Sequence, residues 1–453
     1  MSPNEKPTDE RFVEASPKPS DSRSGRERVA SQRKTVLKAH SLIDKVYSWD
    51  NLWTAWRKVR ANKGVHGLDR VTIRAYEQDV ETHLRELQRK LMEDRYEPLP
   101  VRRAYIPKAS NPKQMRPLGI PTVTDRVCQQ AVYQVLCPIF DPLFSVRSFG
   151  FRPGRNAHRA ISAAISDAEE GFRSVVDADI TSFFDRLDHE VVMSLVSTRV
   201  ADGRVLRLIK AFLKAGVSEN GIISVPTEGS PQGGVISPLL ANIVLDAFDK
   251  AIEAKGWRHV RYADDFVILT RSPEEAAHAL AYAKEVLGTL KLSLHETKTR
   301  LTGFHEGFEF LGFHFRRFRL GIRAKSLERF KDRVRFVTRR NQGRNVDAVL
   351  ADLNPIIRGY ANYFGVAEVT RSFRKLDKWL RMRVRSFRLK RRVRTANRRL
   401  PTKKLVKWGM LSLLDCRPKL RFSYTRSFVA RERPRLLAMR HPRGVAQCGN
   451  STR

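Results

Sequence analysis

The stretch RYADDFVILT, residues 261–270, constrains the fold most, because two adjacent carboxylates interrupt residues that otherwise favour a buried strand. Asp is a common turn residue, so the plainest interpretation of Asp264 and Asp265 is a β-turn. The apolar residues around the pair predict a buried hairpin that holds both carboxylates rigidly at its apex. Held like charges either bind protons more tightly or are neutralised by a cation, and Mg²⁺ suits a carboxylate cluster.

A third carboxylate follows from the alternation in SVVDADITSFFD, residues 174–185. The period of two in a strand gives two faces, with Val175, Asp177 and Asp179 on one and Val176, Ala178 and Ile180 on the other. Asp179 is nearest the predicted strand end, so we expect it to face the hairpin and complete a site for two Mg²⁺ ions. Asp177 is interpreted as a supporting or exposed residue, and Asp185 and Asp188 as the start of the next helix.

The charge of the chain restricts its partners. Lys and Arg total 86 of the 453 residues against 48 Asp and Glu, which gives a formal charge of +38. An excess of this size predicts a polyanionic partner, and nucleic acid is the partner that fits best. A membrane is excluded as the partner because no apolar run approaches the ~20 residues of a spanning helix.

The cysteines and the first residues indicate the cellular setting. Cys128, Cys137, Cys416 and Cys448 form no CxxC pair and have no His at metal-binding spacing. This pattern predicts a reduced intracellular protein without structural zinc. Residues 1–35 lack the apolar core of a signal peptide, and their early acids argue against a mitochondrial presequence. Their composition predicts a disordered N-terminal tail.

Helical and strand patterns alternate after this tail. Residues Asp69 to Asp94 space apolar side chains as one helix would, and VRRAYIPK, residues 101–108, is typical of a strand. A basic turn rich in Pro and Gly is expected from Asn111, followed by a helix from Thr124. Five basic side chains fall in predicted loops where backbone can approach a phosphate: Lys108, Lys113, Arg116, Arg152 and Arg155.

A further helix is predicted after the PQGG sequence. Ser237 and Pro238 are expected to form its N-cap and first turn. Its spacing predicts a buried face made of Leu240, Ile243, Val244, Ala247 and Phe248. We interpret this helix as structural.

Seven motifs follow one another along the chain: IPK…RPLGIP, SFGFRPGR, DITSFFD, GSPQGGVISPLLANIVLDAFD, RYADDFVIL, HETKTRL and FEFLGFHF. From Asp50 to Arg399 this order resembles the group II intron-encoded reverse transcriptases. The resemblance implies an α+β right-hand polymerase, with fingers at 50–172, a palm with an antiparallel sheet at 173–320 and a helical thumb, the maturase-specific domain X, at 321–400. It implies an RNA-directed DNA polymerase that also binds intron RNA as a maturase, promoting splicing and intron mobility.

The resemblance also implies roles for single residues. Asp179, Asp264 and Asp265 match the family's catalytic ligands for two Mg²⁺ ions. Phe184 matches the aromatic residue that crowds a ribose 2′-hydroxyl, with Phe183 beside it in the core, and Lys298 matches a lysine that assists the departure of pyrophosphate. The residues matched to nucleotide binding are Phe184, Gln232, Gly233, Lys298, Arg116 and Lys108.

The predicted thumb is strongly basic. Its helix after LNPIIRGYANYFGV carries an apolar stripe formed by Phe373, Leu376, Leu380, Val384 and Phe387. Between Arg371 and Leu400 there are 14 Lys or Arg and one acid, Asp377, which predicts a surface for phosphates. The residues expected to contact nucleic acid are Arg152, Arg155, Arg358, Arg383, Arg388 and Arg392.

The partners implied are an intron RNA template, an RNA/DNA heteroduplex, target DNA and dNTPs, in the bacterial cytoplasm and at the nucleoid when the intron moves. Residues 401–453 are expected to be a basic C-terminal tail without the paired cysteines of an HNH endonuclease. We expect the endonuclease to be missing, so this chain is not expected to cleave target DNA to make a primer. Priming is therefore expected to come from another source, such as a nascent strand at a replication fork.

Two alternatives remain at this point. One is a maturase that only binds RNA, which the three carboxylates and PQGG disfavour. The other is a related reverse transcriptase of a defence or diversity-generating system, or a viral-type RNA polymerase. Phe184 disfavours the RNA polymerase, and RGYANYF with its basic helix disfavours the shorter relatives.

Overall fold

The fold is that of a computed structural model, which describes residues 38–108, 111–224, 228–229, 233–390, 396–419 and 422. All of them belong to one compact unit that begins at Lys38. The predicted tail, Gln232, Arg392 and Cys448 lie outside the described residues. For Lys108 and Lys113 the backbone alone is described.

Helices and strands alternate through this unit. The strands are β1 (Val101–Lys108), β2 (Asn111–Ile120), β3 (Ser174–Asp179), β4 (Val217–Glu219), β5 (Ile222–Ser224), β6 (Arg258–Tyr262), β7 (Asp265–Thr270), β8 (Arg300–Gly303), β9 (Phe308–Phe310), β10 (Phe313–Arg316) and β11 (Arg319–Ile322). The helices are α1 (Ile43–Tyr47), α2 (Trp49–Ala61), α3 (Ile73–Gln78), α4 (Val80–Met92), α5 (Val123–Phe140), α6 (Ala157–Glu169), α7 (His189–Ser197), α8 (Gly203–Lys214), α9 (Ser237–Ala254), α10 (Pro273–Thr289), α11 (Ala324–Val337), α12 (Val346–Phe364), α13 (Thr370–Arg388), α14 (Ala396–Arg399) and α15 (Thr402–Lys407). Short 3₁₀ turns cover Asp141–Leu143 and Phe183–Asp185.

The central sheet has the strand order β6-β7-β3-β8, and all of its neighbouring strands are antiparallel. Its strand β3 packs against a different core on each side. Val176 and Ala178 lie in the core formed with α5 and α9, whereas Val175 lies in a second core rich in phenylalanine. The predicted strand and its two faces are confirmed, and Asp179 is the last residue of β3.

A second sheet, with the order β2-β1-β4-β5, corrects the prediction of a basic turn after residue 111. Residues 111–120 form the edge strand β2, which pairs antiparallel with β1. An edge strand tolerates Pro because half of its N–H groups have no partner in the sheet. The basic residues Lys108, Lys113 and Arg116 therefore lie on strands rather than in loops.

The predicted helix Asp69–Asp94 is also corrected. Asp79 has φ −141° and ψ 54°, which are not helical values, and the chain forms two helices, α3 and α4, on either side of it. The apolar spacing still predicts the buried face, since Tyr76, Leu84 and Leu87 are at most 1% exposed.

Two helix starts differ slightly from the predicted ones. The helix expected from Thr124 begins at Val123, and Thr122 caps it by accepting a hydrogen bond from the Asp125 N–H at 3.0 Å. Ser237 was expected at an N-cap, but it is the first residue of α9, and the cap position is Ile236. Asp188 caps α7, as expected, whereas Asp185 lies in a 3₁₀ turn.

Three long helices, α11, α12 and α13, follow the third sheet, whose order is β11-β10-β9. The predicted stripe on α13 is confirmed, because its members are at most 5% exposed: Phe373, Leu376, Leu380, Val384 and Phe387. Among the residues that the structure describes, every helix is too short or too polar to cross a bilayer.

The chain remains folded beyond the thumb boundary predicted at residue 400. Helix α15 follows, and Leu405, Met410 and Leu413 are buried in the same core as α13. Asp377, the one acid of the basic stretch, is 3% exposed and accepts hydrogen bonds from Ser412 Oγ at 2.9 Å and Leu413 N at 2.8 Å. This carboxylate anchors residues 412–414 to α13.

We predict that Asp377→Ala lowers the free energy of unfolding by about 2–3 kcal/mol, because buried donors lose a charged acceptor. Urea denaturation followed by circular dichroism measures the change. Asp415→Ala removes an exposed carboxylate from the same segment and should change stability by less than about 0.5 kcal/mol. Similar effects of the two substitutions would contradict the anchoring role.

Candidate active site at the end of the central sheet

The hairpin predicted in RYADDFVILT is present. Strand β6 ends at Tyr262, β7 begins at Asp265, and these two residues pair across the antiparallel ladder. Ala263 and Asp264 form the turn between them. Ala263 has φ +61°, a left-handed conformation that costs a residue with a Cβ about 1–2 kcal/mol. Contacts around the turn must therefore stabilise it.

The third carboxylate lies directly beside this turn. Strand β3 pairs antiparallel with β7, and in this register Asp179 is the partner of Asp265. Directly opposed residues of antiparallel strands have Cα atoms roughly 4.5–5.5 Å apart. Asp179, Asp264 and Asp265 therefore gather at one end of the central sheet, as the sequence predicted.

The pKa of Asp265 is shifted more strongly than that of Asp264. Burial is the largest cause, and together with the negative charges of Asp177, Asp264 and Asp179, in that order, it raises the pKa of Asp265 to about 7. Asp177 lies two residues before Asp179 on the same face of β3. Four carboxylates thus act on one another at this end of the sheet.

Asp264 is also harder to ionise than an ordinary aspartate. Burial raises its pKa and the charge of Asp179 adds to the effect, while Arg116 and Lys298 lower it. Arg116 belongs to β2, so a side chain of the second sheet contributes positive charge near the hairpin. Lys298 comes from the loop before β8.

Two ion pairs offset part of this negative charge. Lys298 Nζ lies 2.5 Å from Asp179 Oδ2. Arg300 donates from Nε at 3.0 Å and from Nη2 at 2.8 Å to Asp177 Oδ2, so Asp177 is a supporting residue rather than an exposed one. The sequence analysis missed Arg300, although its position two residues after Lys298 was a signal for a second basic residue on that side of the site.

The donor set fits a hard divalent cation, since Asp179, Asp264 and Asp265 supply only carboxylate oxygens. As the side chains stand in the described part of the chain, no three His, Cys, Asp or Glu residues enclose an ion position. Lys298 contacts one of the two carboxylate oxygens of Asp179.

Two of the predicted nucleotide-binding residues act on the carboxylates, since Lys298 pairs with Asp179 and Arg116 lowers the pKa of Asp264. Phe184 is half-buried and its ring meets that of Phe183 edge-on at 5.2 Å, while Phe183 is 2% exposed, as expected of a core residue. Gly233 has φ +124°, and a Cβ there would lie 2.4 Å from the carbonyl oxygen of Gly119 on β2. Only glycine fits this close passage between the PQGG loop and the second sheet.

Two arginines expected to contact nucleic acid make hydrogen bonds within the protein. Arg152 is buried, and its guanidinium donates to the Asp141 carboxylate at 2.7 Å and to the carbonyl oxygens of Ser145 at 2.6 Å and Ser148 at 3.1 Å. Arg383 Nε donates to Thr338 Oγ1 at 2.9 Å. The prediction for Arg152 is corrected, because its guanidinium is buried and its donors are used within the protein, whereas the contact of half-buried Arg383 with nucleic acid stays a prediction.

The remaining predicted contacts are more accessible. Arg358 and Arg388 are exposed on α12 and α13. Arg155 is half-buried, and its Nη1 donates to the Val146 carbonyl oxygen at 2.5 Å. The exposed pair remains available for phosphates.

Two family models and several curated relatives match this chain. The model of the family Reverse transcriptase (RNA-dependent DNA polymerase) matches residues 106–315, and that of the Group II intron, maturase-specific domain matches residues 327–407. Protein YkfC of Escherichia coli (strain K12) is 33% identical over 317 residues, which cover 61% of this chain and 83% of YkfC. Group II intron-encoded protein LtrA of Lactococcus lactis subsp. cremoris is 31% identical over 347 residues, which cover 61% of this chain and 57% of LtrA.

Among solved structures, a chain of the Partial Cas6-RT-Cas1–Cas2 complex is 26% identical with a TM-score of 0.36, covering 55% of this chain and 43% of that one. The chain belongs to the group II intron reverse transcriptase/maturase family, a class of RNA-directed DNA polymerases with a maturase-specific domain. The predicted family and right-hand α+β fold class are confirmed. The family uses divalent metal ions and binds nucleic acid.

The raised pKa of Asp265 predicts that its ionised form destabilises the metal-free protein. A folded-state pKa near 7 against about 4 in the unfolded chain means that stability is lost as pH rises through this window. Asp265→Asn should therefore raise the free energy of unfolding by about 2 kcal/mol at pH 8 in EDTA, and by less at pH 5. Urea denaturation at both pH values measures this.

Asp185→Asn is the matched control, because Asp185 is an exposed carboxylate in the 3₁₀ turn that follows β3. It should leave stability unchanged at both pH values. A destabilised Asp265→Asn protein at pH 8 would contradict the electrostatic description of the site.

Proposed function

We propose that this chain extends a DNA primer along an RNA template with dNTPs, and that Asp179, Asp264 and Asp265 are its catalytic ligands for two Mg²⁺ ions. The observation that carries the proposal is the pairing of Asp179 with Asp265 beside the Asp264 turn. Two carboxylates on paired strands and a third in the adjoining turn give a rigid set of oxygen ligands, and phosphoryl transfer by two metal ions needs such a set.

Two Mg²⁺ ions, when bound there, activate the primer 3′-hydroxyl and neutralise the triphosphate charge. The side chains of the chain supply the ligands and the surrounding positive charge. Lys298 pairs with Asp179 in the absence of substrate, and we infer that its ammonium turns to the triphosphate when the site fills. Its Nζ then carries a proton that a departing pyrophosphate oxygen can accept.

Arg116 and Lys108, on the paired strands β2 and β1, are proposed to bind the triphosphate from the opposite side. Exposed Arg116 acts on the charge of Asp264, which supports its position near the reacting phosphates. Gly233 lies close to Gly119 of β2, and Gln232 beside it in the sequence is proposed to support the incoming nucleotide and the template. Half-buried Phe184 is proposed to exclude a ribose 2′-hydroxyl.

The maturase activity is assigned to the basic helices after the third sheet. We propose fingers at 50–172, a palm at 173–320 and a thumb from 321, with α12 and α13 binding intron RNA, the RNA/DNA heteroduplex and target DNA. Exposed Arg358 and Arg388 are the proposed phosphate ligands. The chemistry of splicing then belongs to the RNA, in the bacterial cytoplasm or at the nucleoid during mobility.

The first test separates the two activities. Changing Asp264 and Asp265 together to Asn preserves size and turn propensity but removes the charge that binds Mg²⁺. We expect cDNA synthesis on an RNA template to fall by several orders of magnitude, while intron RNA binding and assisted splicing stay near the parent level. Primer extension, filter binding and a splicing assay measure the three properties.

Asp185→Asn provides the control and should leave all three properties unchanged. Retained cDNA synthesis by the double Asn protein would refute the catalytic assignment. Lost splicing in a folded double variant would refute the division of labour. A parent protein that promotes splicing but makes no cDNA would favour the RNA-binding maturase.

The second test concerns sugar selection. Phe184→Ala should raise incorporation of ribonucleotides relative to deoxynucleotides by about tenfold, because the missing ring no longer opposes a 2′-hydroxyl. Single-nucleotide kinetics with dNTP and rNTP give the ratio. Phe183→Leu alters the buried neighbouring ring and should leave the ratio unchanged, and an unchanged ratio for Phe184→Ala would make Phe184 a packing residue.

A further inference from the structure

A buried ion pair lies directly behind the Asp264 turn. Arg261 on β6 and Asp249 on α9 are both 0% exposed, and they form a bidentate pair. Arg261 Nε donates to Asp249 Oδ1 at 2.7 Å, and Nη2 donates to Asp249 Oδ2 at 2.6 Å. One edge of the guanidinium is thereby fixed to helix α9.

The remaining nitrogen of Arg261 reaches the catalytic turn itself. Nη1 donates to the carbonyl oxygen of Ala263 at 2.9 Å and to Asn242 Oδ1 at 3.0 Å. Ala263 is the left-handed residue immediately before Asp264. The guanidinium therefore ties the strained peptide of the turn to two side chains of α9.

A second segment closes on the same peptide. Asn242 Nδ2 donates to the Gly150 carbonyl oxygen at 3.0 Å, and Phe149 N donates to the Arg261 carbonyl oxygen at 2.8 Å. A Cβ on Gly150 would lie 2.2 Å from Ala263 N, so the loop is packed against the turn. The SFGF loop, α9 and β6 thus enclose Ala263.

The pair is ionised in spite of its burial. Burial on its own raises the pKa of Asp249, but the Arg261 guanidinium and His259 outweigh it and hold the pKa well below its usual range. Arg presents a planar set of donors that binds a carboxylate and a carbonyl together, which a lysine ammonium does not reproduce.

We propose that Arg261, Asp249 and Asn242 are positioning residues that hold the left-handed Ala263 turn, so that Asp264 and Asp265 present their carboxylates together to the metal ions. This inference rests on the proposed function, because it concerns how the metal ligands are held. The three residues act through the turn and do not themselves bind metal or substrate. A purely structural ion pair would instead affect folding and activity without changing the metal requirement.

The test is the Mg²⁺ dependence of primer extension in the full chain. Arg261→Lys preserves the positive charge, but a lysine ammonium cannot link Asp249 to Ala263. The Mg²⁺ concentration for half-maximal rate should therefore rise by about tenfold, because losing the residues that support metal ligands weakens metal binding by about this much. The dissociation constant for intron RNA should stay at the parent value. Asn242→Ala removes one contact to Arg261 and should raise the Mg²⁺ requirement by a smaller factor. This second variant provides the test if the Arg261→Lys protein does not fold.

Arg385→Lys is the matched control, because buried Arg385 donates to the Leu400 carbonyl oxygen at 2.8 Å, in the thumb and outside the turn. It should keep the parent Mg²⁺ dependence. An unchanged Mg²⁺ requirement in folded Arg261→Lys and Asn242→Ala proteins would overturn the positioning role and leave the proposed function intact. A parent protein without Mg²⁺-dependent extension would overturn both.

Discussion

Repulsion among carboxylates is the physical constraint on which the rest of this structure depends. The antiparallel pairing of β3 with β7 fixes the backbone of Asp179 opposite Asp265, and the two-residue turn adds Asp264. Burial and, after it, the charges of the neighbouring carboxylates raise the pKa of Asp265 to about 7. Such an arrangement is unfavourable for folding alone, and it is what a site for divalent cations requires.

The surroundings of the site offset this repulsion with positive charge from separate elements. Lys298 pairs with Asp179, Arg300 pairs with Asp177, and Arg116 on the second sheet acts on Asp264. Behind the turn, Arg261 neutralises the carboxylate of Asp249, and its Nη1 donates to the carbonyl oxygen of Ala263. Basic side chains therefore have two uses in this chain. Some face the proposed substrate site, and others stabilise the fold.

The sequence predicted the parts of the site that depend on local periodicity. Alternation in β3 placed Asp179 correctly, and the apolar runs around Asp264 predicted the hairpin. Charge alone did not predict that Arg152 is buried, because the folded chain decides which carboxylate and carbonyl oxygens its guanidinium meets. The network around Arg261 was missed for the same reason, although a charged residue within a buried strand pattern was a signal that it needed a partner.

The most direct measurement of the central claim is the location of bound cations. Crystals of the protein with RNA template, DNA primer, a non-hydrolysable dNTP and Mn²⁺ would reveal the ions by anomalous scattering. The account predicts two Mn²⁺ ions about 3.5–4 Å apart, with ligands from Asp179 and from the Asp264–Asp265 turn. Bound nucleotide with no Mn²⁺ at these carboxylates would contradict it.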